Sequence, residues 1–66
     1  MNDFTKQELK VLSLLAQGLN TREIAEKLNM PINNAKVYTE TICQKLDAKN
    51  KVQAVVKAIT HNIVEV

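Results

Sequence analysis

The side chains best suited to covalent chemistry are the scarcest in this chain: one histidine, His61, and one cysteine, Cys43. A nucleophile needs a base within hydrogen-bond reach, and a zinc site needs three or four ligands at short, regular spacing. Neither residue has such company, and the carboxylates are scattered, so no enzymatic turnover, metal or cofactor is expected. Cys43 follows the apolar Ile42 and reads as a small packed residue rather than a redox switch. A lone cysteine forms no intramolecular disulfide, which points to a reducing compartment. Binding chemistry remains. Nine Lys and Arg against seven Asp and Glu leave a formal charge of +2. That mild basic excess permits a polyanionic partner without demanding one. Polar side chains gather most densely between residues 33 and 45, where helical spacing turns Asn33, Lys36, Val37, Thr39, Glu40, Gln44 and Lys45 outward, with Asn34 and Thr41 at the border.

The elements that position these residues are helices. At 66 residues with one Gly, one Pro, one Tyr, one Phe and no Trp, the chain holds one domain and lacks the turns and aromatics that strands need. Thr5-Lys6-Gln7-Glu8 is a capping box that starts a first helix, with Phe4 placed to staple its entry. Glu8, Val11, Leu12 and Leu15 share a face, Leu9 and Leu14 fall off it, and Gly18 supplies the left-handed stop. Asn20-Thr21-Arg22-Glu23 repeats the capping device before a short helix that buries Ile24, Ala25 and Leu28. Pro31 lacks an amide and biases Met30 toward extended geometry, so a tight turn precedes a third helix. Its inner face is Ala35, Tyr38, Ile42 and Leu46. Asn50 caps a fourth helix whose Val52, Val55, Val56, Ile59 and Ile63 form a wide apolar face, part core and part subunit contact. The expected helices are 6–17, 21–28, 32–46 and 51–62 of a single all-α domain spanning 1–66. No apolar run approaches the roughly 20 residues of a membrane span, and Met1-Asn2-Asp3 does not open a signal segment, so a cytoplasmic protein with no membrane partner is expected.

A short helix, a turn and a longer helix with an apolar inside and a polar outside outline a helix-turn-helix. From Phe4 to Val55 the chain also resembles the DNA-binding domain of the LuxR-type (GerE-like) bacterial regulators. The resemblance is carried by Phe4-Thr5, Glu8, Val11-Leu12, Leu15-Ala16, Gly18, Arg22-Glu23-Ile24-Ala25, Leu28, Lys36, Ile42, Lys45-Leu46, Asn50-Lys51 and Ala54-Val55, all at the family's spacing without a gap. It implies a compact four-helix domain in which helices 2 and 3 form the helix-turn-helix and the C-terminal helix dimerises. It further implies a recognition helix in the major groove of a roughly palindromic promoter site, and a transcription-regulating function in which RNA polymerase is a possible further partner. No small-molecule ligand is expected for this chain.

Carried over position by position, the resemblance makes Lys36 and Val37 base-reading residues, with Thr39 and Glu40 one turn further. The chemistry agrees: a lysine donates to guanine O6 or N7, and a valine packs against a thymine methyl. The resemblance assigns phosphate contacts to Asn20, Thr21 and Arg22, where a helix start favours an anion, and also to Asn34, Lys45, Asn50 and Lys51. It assigns the dimer contact to Val52, Val55, Val56, Ile59 and Ile63. The family's usual Thr-Val-Lys and His stand here as Asn34-Ala35-Lys36 and Tyr38, its Ser or Thr helix cap as Pro31, and its frequent Asn as Thr41. Glu40 is the sharpest departure, because a carboxylate near the groove is repelled by phosphate unless it accepts from a cytosine amino group. The competing expectation is a helix-turn-helix that has lost DNA binding and serves as a protein docking or dimerisation module.

Overall fold

The computed structural model describes residues 4–64, which fold into four α-helices in the order α1 Lys6–Ala16, α2 Thr21–Lys27, α3 Ile32–Lys45 and α4 Lys51–Thr60. Each helix begins where the sequence places a cap. Thr5 and Glu8 form the reciprocal capping box of α1, as Asn20 and Glu23 do for α2. The Asn50 side chain accepts the Gln53 amide at 2.9 Å, and the Gln53 side chain accepts the Lys49 amide at 2.8 Å. Only α3 starts without a side-chain cap, on Pro31.

All four helices end in one device. Gly18, Asn29, Asp47 and Asn62 take left-handed φ values of 95°, 56°, 54° and 59°. The residue after each, Leu19, Met30, Ala48 or Ile63, donates its amide back to Leu14, Ala25, Cys43 or Ala58 at 3.2, 2.9, 2.8 and 2.8 Å. This is the Schellman closure, in which the residue following the left-handed position is apolar and covers the last turn. All four of those residues pack against the core. The closure explains why each helix stops one or two residues short of the expected 17, 28, 46 and 62: Gln17, Leu28, Leu46 and His61 are C-caps. The closure of α3 is reinforced by Lys57, whose ammonium donates to the Asp47 carbonyl at 2.6 Å, a cation at the negative end of the helix.

Val11, Leu12, Ile24, Ala35, Ile42, Ala54 and Ala58 have no solvent exposure and form the centre of the core, with Leu14, Leu15 and Ala25 around them. Every helix pair is in contact except α2 and α4, so these two flank the α1–α3 pair. One expectation is corrected here. Leu14 is buried, because it faces the end of α2 and lines a groove with Leu28, while Leu9 is the residue left partly in solvent. Helix α4 enters the core through Ala54 and Ala58 with Val55 beside them, whereas Val52 and Val56 are 67% and 56% exposed. At 100° per residue these valines lie opposite the alanines, so α4 carries two apolar faces. Val55 and Ile63 pack against the core, and Ile59 is half-buried.

Candidate nucleic-acid interface

Helix α2, the turn from Leu28 to Pro31 and helix α3 form a helix-turn-helix whose outer side is the exposed side of α3. Ala35 and Ile42 anchor α3 in the core, which fixes the opposite side toward solvent. Lys36, Val37 and Glu40 are exposed there, Val37 by 59%. Thr39 departs from the expected set. It is half-buried, and its hydroxyl donates to the Ala35 carbonyl at 2.9 Å, so it sits on the flank with its proton committed to the helix backbone. Asn33 and Gln44 are exposed as well, and together with Val37 and Glu40 they follow the i, i+4, i+7, i+11 line along the outermost strip. Asn34 is exposed at the border and lines a cleft with Glu8, Val37, Tyr38 and Thr41, and Tyr38 itself is half-buried.

Arg22 is exposed and lines the cleft at the α2–α3 turn together with Asn29, Pro31 and Ile32, beside the start of α3. The capping box of α2 changes what its N-terminus offers an anion. Asn20 Oδ1 accepts the Glu23 amide at 2.8 Å and Glu23 Oε1 accepts the Asn20 amide at 2.9 Å. Those two amides are spent, leaving the amides of Thr21 and Arg22 and the Arg22 guanidinium. Asn20 and Lys51 line one cleft with Val52 and Val55, so the starts of α2 and α4 converge. Asn50 faces solvent but spends its carbonyl oxygen on its own helix cap.

Lys45 has a structural engagement that its place in the chain gave no hint of. Its ammonium lies 2.7 Å from Glu8 Oε1, and 5.5 Å from the centroid of the Phe4 ring. The same Glu8 oxygen accepts the Thr5 amide at 2.9 Å, so one buried carboxylate closes the α1 cap and ties the last turn of α3 to it. The hydrogen bonds from Lys45 and from the Thr5 amide hold the Glu8 carboxyl below its ordinary value, against the opposing effect of burial. A phosphate contact by Lys45 would compete with this ion pair. Burial, with Glu40 nearby, raises the pKa of the half-buried Cys43 thiol, which agrees with its reading as an unreactive packed residue.

A short helix set on a longer one whose polar strip faces outward defines a helix-turn-helix protein. Residues 2–58 match the family described as bacterial regulatory proteins, luxR family, and the chain belongs to that family. It is 45% identical over 62 residues to the transcriptional regulatory protein YxjL of Bacillus subtilis, covering 94% of this chain and 28% of that protein. It is 37% identical over 57 residues to the transcriptional regulatory protein DesR of the same organism, covering 86% of this chain and 29% of that protein. The response regulator protein VraR of Staphylococcus aureus is 33% identical over 61 residues, covering 92% of this chain and 29% of that protein. The chain thus spans under a third of the length of these relatives. The fold superposes on a structure of the transcription factor GerE with a TM-score of 0.88 at 18% identity, covering 98% of this chain and 97% of that one.

Proposed function

We propose that this domain binds double-stranded promoter DNA sequence-specifically to regulate bacterial transcription, with α3 in the major groove. The observation that carries the reading is the exposed strip of α3, held outward by buried Ala35 and Ile42 in a chain of the luxR family. A groove about 12 Å wide admits one helix, and α3 presents side chains suited to base edges. Lys36 donates to guanine, Val37 meets a thymine methyl and Glu40 accepts from a cytosine amino group, with Thr39 a flanking contact through its methyl. Arg22, supported by Asn20 and Thr21, grips a backbone phosphate beside the start of α3. Asn34, Asn50 and Lys51 add further phosphate contacts, and Lys45 adds one where it leaves Glu8. Two copies pair across the exposed Val52 and Val56 of α4, with Val55, Ile59 and Ile63 at the edge of that contact, and RNA polymerase is the further partner that a promoter-bound regulator meets in the cytoplasm. A docking module that has lost DNA is not favoured, since the relatives matching over most of this chain are named transcriptional regulators.

The test is selection from a random duplex pool with the parent, Lys36→Ala and Arg22→Ala. Lys36→Ala is expected to relax preference at one position by about 1 to 3 kcal/mol, and Arg22→Ala to weaken all sequences alike. Failure of the parent to enrich any sequence would overturn the reading.

A further inference from the structure

We propose that Asn33 and Gln44 are specificity-determining residues that each read an adenine, one at either end of the half-site covered by α3. The inference rests on the major-groove reading above. Both side chains are exposed on the outermost line of α3, in register with Val37 and Glu40. Three of the chain's other side-chain amides are spent on helix caps. Asn20 and Asn50 cap α2 and α4, and Gln53 closes the α4 cap. The side-chain amides of Asn33 and Gln44, by contrast, enter no hydrogen bond among the described residues, so their paired donor and acceptor are available together.

An amide that presents donor and acceptor side by side matches the N6 and N7 edge of adenine and no other base in the major groove. Eleven residues of helix separate the two, roughly 16 Å, which spans about five base-pair steps. Between them stand Val37, suited to a thymine methyl, and Glu40, suited to a cytosine amino group. The strip therefore favours a half-site with adenine at both ends and cytosine inside, about six base pairs from end to end.

The experiment is selection from a random duplex pool with the parent, Asn33→Ala and Gln44→Ala, each checked for unchanged circular dichroism and thermal midpoint. The parent is expected to enrich two adenines about five base pairs apart in each half-site. Each variant should lose one of them, with discrimination falling about five- to a hundredfold at that position alone. Uniform weakening across sequences would make the residue a backbone contact, and unchanged preference would make it a solvated surface residue. Either result overturns the inference while leaving DNA binding intact, whereas a parent that enriches nothing overturns the function itself.

Discussion

Glu8 shows how one side chain can hold the platform beneath a recognition surface. Its carboxylate accepts the Thr5 amide and the Lys45 ammonium on the same oxygen, joining the first turn of α1 to the last turn of α3. Glu8→Gln keeps an acceptor for the capping box and removes the charge, so it isolates the ion pair. Because the Lys45 side chain is 31% exposed, the loss should fall below that of a fully buried pair, at about 1 to 2 kcal/mol in a urea titration near neutral pH. The folded-state pKa of Glu8 lies below the ordinary value of 4.5. Its contribution is therefore complete above that value and is lost as the pH falls through the lowered one. The stability gap between parent and Glu8→Gln should close over that acid range, and a gap that stays constant would contradict the assignment. The capping half of this arrangement was legible in Thr5-Lys6-Gln7-Glu8, because a capping box is a local pattern. The Lys45 half was not, since those partners lie 37 positions apart and nothing in local spacing pairs them. The backbone bond of Thr39 was illegible for a related reason: periodicity places a residue on a side of the helix but does not reveal that a hydroxyl bonds back to the preceding turn.

The four helices were legible because their starts and stops are written in short runs. The starts are Thr5, Asn20, Pro31 and Asn50, and the stops are Gly18, Asn29 and Asp47, while Asn62, which stops α4, was read as part of that helix. Asp47 is the least suited of the stops, since it holds φ at 54° and puts a carboxylate at the negative end of α3. Asp47→Gly removes both penalties and keeps the carbonyl that Lys57 binds, so it should stabilise the domain by about 0.5 to 1 kcal/mol. A higher urea midpoint at unchanged slope would bear this out, and a lower midpoint would contradict it. At Gly18, where an added Cβ meets no atom within 4 Å, Gly18→Ala should destabilise by about 1 to 2 kcal/mol through the backbone angle alone. Thermal melting that shows no loss would contradict that account. Helix α4 was the element least legible in sequence. Its larger apolar side chains were read as part core and part subunit contact, but the centre of the inner face is filled by Ala54 and Ala58, because small residues let α4 approach α1 and α3 closely. Alanine suits a core and a surface equally, so only tertiary packing decides between them.

At the scale of the whole molecule, the separation of α2 from α4 matters most. Helix α4 packs on α1 and α3 but not on α2, so a second copy can cover the exposed Val52 and Val56 without displacing α2. Val52→Asp combined with Val56→Asp should leave the monomer fold within about 0.5 kcal/mol of the parent, because both positions are exposed. The double variant should abolish cooperative filling of paired half-sites while sparing single half-site binding, and gel-shift titrations that remain cooperative would contradict the proposed contact. The central claim is that the outward strip of α3, with the start of α2, meets a charged duplex. Its most direct measurement is the affinity of the unmodified domain for duplex DNA across a salt series. Arg22 and Lys51 of each subunit, with Lys45 where it leaves Glu8, predict a log–log slope of about −4 to −5 for a dimer. Absence of binding at low salt, or a slope near zero, would contradict the account.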